Sequence, residues 1–248
     1  MRVFKLTLAY DGTNYSGWQR QVGAATVQET LERTLEKISG ESIRTTASGR
    51  TDAGVHALAQ VVSFASDTHL EPAVLLKALN AELPHDIAVS ACEIARADFH
   101  AIAGARRKRY RYLIDDGPVR DVFARSYVWQ YRQRLDAAAM RRAAQALVGT
   151  HDFSSFETSG SPRATSVRTV FELAVERQGG ESGSRISIEI EADGFLYNMV
   201  RAIVGTLVEV GRGAQSADWP AQVLAACRRD AAGQTAPPQG LFLVRVDY

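Results

Sequence analysis

Apolar and polar residues alternate along the first ten positions of the chain. In VFKLTLAY, residues 3–10, every second residue is large and apolar, which predicts a half-buried β-strand. Thr26 with Glu29 three residues later forms a capping box and Gly40 supplies a C-terminal cap, so the segment between them is predicted to be a helix. Further elements are predicted as strands at 43–48, 59–66 and 86–95 and a helix at 72–83. The order β-α-β-β-α-β is typical of a ferredoxin-like unit.

A similar order is predicted again after about residue 105. The predicted elements are strands at 108–115 and 125–131, a helix at 136–148, strands at 166–177 and 184–192 around a hairpin at 178–183, helices at 196–210 and 218–230, and a strand at 241–248. We therefore expect an α+β protein with two ferredoxin-like halves, residues 1–105 and 106–248, that form a mainly antiparallel sheet. We expect a ligand site in a central cleft between the halves.

Composition limits the class of protein. Apolar residues make up 46% and charged residues 23% of the chain, which is ordinary for a globular domain. No apolar run approaches the roughly 20 residues that span a bilayer, and the N-terminus lacks the apolar core of a signal peptide. Cys92 and Cys227 are far apart and belong to no Cys/His cluster, so we expect neither a disulfide framework nor a metal site, and we expect a cytoplasmic protein.

The net charge is only +1, but basic residues are concentrated in one segment. RRKRYR, residues 106–111, has five basic side chains in six positions. In a strand, Lys108 and Tyr110 lie on one face, while Arg109 and Arg111 lie on the other. Guanidinium groups suit phosphates and aromatic rings suit unstacked bases, so these residues are candidates for nucleic-acid binding. An edge strand whose charges prevent aggregation explains the same pattern equally well.

A helix near the C-terminus has an arginine beside its apolar face. At 100° per residue, the large residues of helix 196–210 form one broad apolar face, and Arg201 lies at its margin. A guanidinium buried there needs a partner, for which Asp52 is our candidate. Periodicity alone favours a side chain that extends to water instead.

The loop GRTDAGVHA, residues 49–57, holds an arginine, an aspartate and a histidine, which is more than a turn requires. It occurs together with other segments in a fixed order, namely LAYDGTNYSGWQRQ, TVQETLE, NAELPHDIAV, FHA, KRYRY, GTHDFSSF, VRTV, GFLYNMVRAIVGTL and GLFLVRVDY. From about residue 4 to residue 248, the chain resembles the tRNA pseudouridine synthase A family. The resemblance implies the pseudouridine synthase fold, conversion of uridine to pseudouridine in tRNA and no cofactor.

The resemblance also implies which residues form the site. Asp52 corresponds to the aspartate that attacks the target uridine, and Arg50 to the arginine that contacts RNA and stabilises the flipped-out nucleotide. Tyr110 corresponds to the tyrosine that stacks on the uracil, and Arg201 to the basic residue that pairs with the catalytic aspartate. Lys108 matches the lysine of the family's Lys-x-Tyr-x-Tyr pattern.

Other positions carry weaker functional predictions. In the polar, glycine-containing segment 11–21, Gln19 and Arg20 are the candidate RNA contacts. His56 is interpreted as a local hydrogen-bonding residue, and the His151–Asp152 pair as part of a turn. Ile102 stands where many relatives have an arginine, so the chain lacks one basic residue of the family pattern while keeping the catalytic set.

The reaction suits these residue types. Isomerisation breaks the N1–C1′ bond of uridine and rejoins the base through C5, which needs no oxidation and no outside group. A carboxylate can attack either C1′ of the ribose or C6 of the uracil, and both routes stay open. Asp52 is suited to the attack, Arg201 to holding it ionised, and Tyr110 or a water to accepting the C5 proton.

Two other classes of function remain to be compared with an enzyme of this kind. A catalytically inactive RNA-binding module would use the same folds, but no aromatic RNP1 pattern is present. A metal-dependent phosphoesterase would need more acidic residues or histidines around Asp52. The resemblance favours the enzyme, acting on uridines 38, 39 and 40 of the tRNA anticodon stem-loop as a homodimer.

Overall fold

The computed structural model of the 248-residue chain describes residues 1–158, 165–180 and 183–248. These residues form two compact units: unit 1 is Met1–Arg106 with Phe242–Tyr248, and unit 2 is Arg107–Leu241. The C-terminal segment therefore groups with the N-terminal unit, whereas the sequence placed it in the second half. The reason is its pairing, because the last strand runs parallel to the strand that begins at His56.

The described residues contain ten strands and five α-helices. In chain order they are β1 (Arg2–Tyr10), α1 (Val27–Ser39), β2 (Thr46–Ala47), β3 (His56–Ser66), α2 (Pro72–Glu82), β4 (Ile87–Ile94), β5 (Arg107–Asp115), β6 (Trp129–Gln130), α3 (Ala137–Ala144), β7 (Gly149–Asp152), β8 (Val167–Gln178), β9 (Arg185–Ala192), α4 (Met199–Gly211), α5 (Trp219–Ala226) and β10 (Leu241–Asp247). The α+β class is confirmed. Within the units the strand pairs are antiparallel, except for β3 with β10 and β5 with β6.

Unit 1 has the predicted order β-α-β-β-α-β. Its strands lie side by side as β4-β1-β3-β10, and β2 adds to β3. The alternation in β1 is observed as predicted, since Phe4, Leu6, Leu8 and Tyr10 are buried. The segment predicted as a strand at 43–48 pairs only at Thr46–Ala47, and β3 begins at His56 rather than at residue 59. The loop that holds Asp52 is therefore the short connection 48–55 between β2 and β3.

Helix α1 begins and ends where the capping signals predicted. The Thr26 side chain accepts a hydrogen bond from the backbone N–H of Glu29, and Gly40 adopts the left-handed conformation (φ 73°) at the other end. Buried Leu31 and Leu35 attach the helix to the core of unit 1. Local sequence signals alone were enough here.

Unit 2 departs from the prediction in several details. Its strands lie in the order β5-β9-β8-β7, and the short β6 adds to β5. The backbone of His151 and Asp152 lies in strand β7, where the sequence predicted a turn. Their side chains do organise the adjoining turns, since His151 Nε2 lies 2.9 Å from the Val148 carbonyl and Asp152 Oδ1 accepts from the Ser154 N–H at 2.9 Å. Helix α4 begins at Met199 and not at residue 196, because Asn198 has a left-handed backbone (φ 62°) that no helix can include. Residues 181 and 182 of the predicted hairpin lie outside the described residues.

Membrane-spanning helices and metal-binding clusters are both absent from the described residues. None of their helices combines the length and apolar character that crossing a membrane requires. Among the same residues, no group of three or more His, Cys, Asp and Glu side chains is arranged to hold a metal ion.

Candidate active site

The loop 48–55 is anchored at its first residues by a buried glutamine. Gln60 of β3 has no exposed surface. Its amide nitrogen donates to the Gly49 carbonyl at 2.8 Å, and its amide oxygen accepts from the Ser48 hydroxyl at 2.6 Å. A buried amide with both of its ends engaged fixes the direction in which the chain leaves β2.

Thr51, next to Asp52, is held by the end of β1 and by the loop that follows it. The Tyr10 hydroxyl and Thr51 Oγ1 are 2.8 Å apart, and the Trp18 backbone N–H donates to the Thr51 carbonyl at 3.0 Å. Burial raises the pKa of Tyr10 to about 12, and the hydrogen bonds with Thr51 and Gln60 act in the opposite direction. The residue before Asp52 is thus attached through its side chain and through its backbone.

Asp52 begins a tight turn and is half-buried. Its carbonyl accepts from the Val55 N–H at 3.1 Å, and Gly54 has φ 76° at the third position. A type II turn requires such a left-handed residue there, which explains the glycine. His56, the residue after this turn, already belongs to β3. Asp52 therefore lies four residues before the start of a strand and two residues before the turn glycine Gly54.

Two glycines of the preceding loop make space for this turn. A Cβ added at Gly12 would lie 2.0 Å from the Val55 carbonyl oxygen, and one added at Gly17 would lie 2.6 Å from the Thr51 carbonyl oxygen. The backbones of the two loops are therefore in direct contact, and no side chain separates them. Residues 11–18 pack directly against the Asp52 loop, so this part of segment 11–21 has a structural function.

His56 is a hydrogen-bonding residue, as predicted, but its partner Gly12 lies 44 residues away in the chain. His56 is buried, its Nδ1 accepts from the Gly12 N–H at 3.0 Å and lies 3.1 Å from Asp11 Oδ1, and its ring stacks on Phe242 at 4.7 Å. Because the Gly12 N–H is a donor, the lone pair of His56 Nδ1 points towards it. The imidazole ring thereby connects the end of the Asp52 loop to the segment that contains Gly12. These contacts serve the loop's geometry.

In unit 2, β5 presents the two faces that the sequence predicted. Tyr110 is buried and its ring packs edge-on against Phe195 at 4.9 Å, while Lys108 on the same face is half-buried. Tyr112, one step further along, donates from its hydroxyl to the Pro237 carbonyl at 2.7 Å. Burial raises the pKa of Tyr112, and the charge of Arg201 partly opposes this, so Arg201 belongs to the surroundings of the same aromatic face.

The opposite face of β5 is an ion-pair network. Arg109 contacts the carboxylates of Glu172, Glu189 and Glu191, and Arg111 pairs with Glu189 at 2.8 Å. Partial burial lowers the pKa of Arg109, but hydrogen bonds to these carboxylates outweigh it and raise the pKa above its ordinary value. The positive charge of both arginines is thus balanced within unit 2. The edge-strand interpretation is wrong, because β5 pairs with β9 on one side and with β6 on the other, and the role of the two arginines in RNA binding stays a prediction.

Arg201, in the first turn of α4, is oriented by backbone and side-chain acceptors. Its Nε donates to the Ala236 carbonyl at 2.7 Å, and its Nη1 donates to Asn198 Oδ1 at 2.9 Å. The segment that contains Ala236 lies directly on α4, because a Cβ added at Gly205 would meet the Gln234 carbonyl oxygen at 1.7 Å. Arg201 is therefore held in one orientation within unit 2, and its interpretation as a side chain that simply extends to water does not fit these bonds.

The predicted site residues divide between the two units. Asp52, the exposed Arg50 and the exposed Gln19 and Arg20 are in unit 1. Tyr110, Lys108 and Arg201 are in unit 2, together with Arg109 and Arg111. The ion pair between Arg201 and Asp52 stays a prediction.

Comparison with known proteins gives the chain its family. A family profile described as "tRNA pseudouridine synthase" matches residues 7–102 and 143–248, which is most of the chain. The chain belongs to the tRNA pseudouridine synthase family. A protein of Thermoanaerobacter sp. (strain X514) named "tRNA pseudouridine synthase A" is 45% identical over 248 residues, covering 100% of both chains.

Two further relatives have the same name and similar coverage. The protein of Moorella thermoacetica is 48% identical over 251 residues, covering 100% of both chains. That of Shouchella clausii is 47% identical over 242 residues, covering 97% of this chain and 91% of the relative. The resemblance inferred from the sequence motifs is confirmed, and the synthase belongs to an isomerase family.

Sequence reasoning identified the motif residues of this synthase but missed the residues that position them. Tyr10, Gln60, Asn198 and the Ala236 carbonyl were not predicted. For Gln60 a signal existed, since it is an amide in the largely apolar stretch ALAQVVSF, residues 57–64. Such a polar residue at a core position needs a hydrogen-bond partner, and the polar loop just before it was available.

Proposed function

We propose that this tRNA pseudouridine synthase isomerises uridines 38, 39 and 40 of the anticodon stem-loop, with Asp52 as the nucleophile. The observation that supports the assignment of Asp52 is its turn. Asp52 is only partly buried, while the residues before and after it are held by buried polar groups and by direct backbone contact. A nucleophile kept in one place but left accessible satisfies what covalent attack on a bound nucleotide requires.

The bond changes balance without an oxidant or a second substrate. The N1–C1′ bond breaks and a C5–C1′ bond forms, while C5 loses a proton and N1 gains one. Asp52 attacks either C1′ or C6 to release the base, and either bond to Asp52 is broken again when the C–C bond is complete. Tyr110 or a water accepts the C5 proton, which is general base catalysis at a carbon acid.

The remaining residues bind and orient. Extrusion of the uridine from its stack costs about a few kcal/mol, and Arg50 fills the gap that the base leaves. Tyr110 stacks on the uracil and Arg201, fixed by its two hydrogen bonds, holds the Asp52 carboxylate ionised. Lys108, Gln19 and Arg20 contact the RNA, and phosphate contacts of this kind make binding weaker at higher salt.

The assembly is part of the proposal. The synthase acts in the cytoplasm as a homodimer in which one tRNA contacts both subunits. A chain with a net charge of only +1 gains basic surface for a polyanion when its local arginine clusters are doubled. Sedimentation of the free chain and of its tRNA complex measures the subunit number, and a 1:1 complex of monomer and tRNA would contradict the dimer.

Position mapping tests the substrate assignment. Transcripts of one tRNA that carry uridine at only one of the positions 38, 39 or 40, and one that carries none, are incubated with the synthase. We expect pseudouridine at each of the three positions and none in the fourth transcript. Modification elsewhere would overturn the anticodon assignment, and tight binding with no pseudouridine in any transcript would favour the inactive RNA-binding module.

A further inference from the structure

An open cavity lies at the beginning of α1 in unit 1. It has a volume of about 540 Å³ and is lined by side chains that include Gln19, Arg20, Gln21, Gln28, Glu29 and Arg44. Arg44 comes from the segment just before β2, and nothing in its sequence surroundings pointed to a function. We call this space the Arg20–Arg44 cavity.

A buried carboxylate holds the two arginines on the same side of the cavity. The Glu32 side chain is only 5% exposed. Its Oε1 accepts from the backbone N–H and hydroxyl of Thr45 and from the Gln28 amide, all within 3.1 Å. Its Oε2 faces Arg44 Nη1 at 3.3 Å and Arg20 Nη1 at 3.8 Å. Two guanidinium groups therefore converge on one oxygen whose own position is fixed.

These guanidinium groups have donors available. The contacts of Arg20 with Glu29 and Glu32, at 3.7 and 3.8 Å, are longer than hydrogen bonds, and Arg44 donates a single hydrogen bond to Glu32 within the described residues. Each guanidinium has five N–H groups in a planar fork. Glu29 is itself engaged at 2.9 Å by Arg33, so its charge is compensated from outside the cavity. The cavity is left with an excess of positive charge and with unused planar donors, which suits an oxyanion.

The cavity is connected to the Asp52 loop by a very short piece of chain. The Trp18 N–H donates to the Thr51 carbonyl, and two residues later the Arg20 N–H donates to the Gln28 side chain at 3.0 Å. Two residues of extended chain span at most about 7 Å. The backbone at the cavity and the Asp52 loop are therefore close neighbours, which places an oxyanion in the cavity within a few nucleotides of a base that is attacked by Asp52.

We propose that the Arg20–Arg44 cavity binds a backbone phosphate of the RNA substrate, on a nucleotide close to the target uridine. Arg44 is then a substrate-binding residue, and Glu32 is the positioning residue that presents both guanidinium groups. The inference rests on the proposed function for the identity of the polyanion as tRNA. The contact is to phosphate, so it adds affinity at every target position and reads no base.

The test compares Arg44→Gln with Arg96→Gln as the matched control. Arg96 lies in the same unit, is paired with Asp98 at 2.9 Å, and is highly exposed, as Arg44 is. The Kd of a fluorescein-labelled tRNA transcript is measured at several salt concentrations. We expect Arg44→Gln to weaken binding roughly tenfold and to reduce the slope of log K against log salt by about 0.7–0.9, as for one lost phosphate contact. Arg96→Gln should change neither quantity, and Arg44→Lys should keep the slope but recover only part of the affinity.

Equal Kd values and equal slopes for Arg44→Gln and Arg96→Gln would overturn the proposal. Pseudouridine formation by the unchanged chain tests the proposed function separately. If pseudouridine forms and the two variants bind alike, the cavity assignment fails and the function stands. If no pseudouridine forms while Arg44→Gln still binds tRNA more weakly, the phosphate site stands and the enzymatic function fails.

Discussion

Replacement of Gly12 by alanine should impair catalysis, although Gly12 touches no substrate. A methyl group there would lie 2.0 Å from the Val55 carbonyl oxygen and 2.7 Å from its carbonyl carbon, whereas ordinary contact begins at 3.4 Å. The backbones must separate by about 1.4 Å to make room for it, because no flexible side chain is available to move. Gly12 is not among the residues with positive φ, so Gly12→Ala tests the steric clash with Val55 without added backbone strain.

The expected magnitude follows from the coupling of Val55 to Asp52. The Val55 N–H closes the turn on the Asp52 carbonyl at 3.1 Å, so a displacement of Val55 moves the carboxylate as well. A misplacement of about 1 Å costs a rate factor of about 100. Crowding of this kind also lowers the free energy of unfolding by about 1–3 kcal/mol. We expect kcat to fall about 100-fold while tRNA affinity changes little, since phosphate contacts dominate binding.

The assay is single-turnover formation of pseudouridine at saturating tRNA, with urea unfolding of the same preparations. Gly40→Ala is the control for stability: Gly40 has φ 73°, and nothing lies within 4 Å of an added Cβ. Gly40→Ala should have a free energy of unfolding that is lower by about 1–2 kcal/mol through backbone strain, and its rate of pseudouridine formation should not change. A folded Gly12→Ala protein that reacts as fast as Gly40→Ala would refute the claim that Gly12 sets the position of Asp52.

Three further changes test other parts of the account. Gln60→Leu removes the donor to the Gly49 carbonyl, so we expect urea titration to show a free energy of unfolding that is lower by about 1–3 kcal/mol. We also expect slower pseudouridine formation, and an unchanged free energy of unfolding would contradict this role of Gln60. Arg201→Lys cannot reproduce both guanidinium hydrogen bonds, so kcat should fall by roughly tenfold or more with tRNA Kd little changed, whereas a fully active variant would argue against fixed orientation. Burial raises the pKa of Asp116, but hydrogen bonds led by that from Arg177 outweigh it and place the pKa below its ordinary value. The stabilisation by the Asp116–Arg177 pair is therefore complete above about pH 4 and is lost as pH falls through the lowered pKa of Asp116. The difference in unfolding free energy between the unchanged chain and Asp116→Asn should shrink in acid, and a difference independent of pH would contradict this explanation.

The elements best predicted from sequence were those defined by local signals. Helix α1 is delimited by Thr26 and Gly40, which act through bonds to residues three or four positions away. Strand β7 was missed because its four residues resemble a turn and become a strand only through pairing with β8. The placement of β10 was missed for a similar reason, since its parallel pairing with β3 joins Phe242 to His56 and has no local signature.

The site shows the same division between local and distant information. Asp52, Arg50 and the turn glycine Gly54 are contiguous, so a motif reveals them. Their supports are far away in the chain, since Tyr10 is 41 residues from Thr51 and their contact depends on the register of β1 against β3. Periodicity also favoured a solvent-exposed Arg201, and it could not show the Ala236 carbonyl that the side chain reaches.

The role of Asp52 can be measured most directly by tritium release from tRNA labelled at C5 of uridine, with chelator present and no added cofactor. Forming the C5–C1′ bond must expel that hydrogen, so the signal reports the chemical step itself. We predict release by the unchanged chain and by Asp98→Asn, which removes an exposed carboxylate elsewhere in unit 1. Asp52→Asn should bind tRNA with similar affinity and release nothing. Tritium release by Asp52→Asn at the rate of the unchanged chain would contradict Asp52 as the nucleophile.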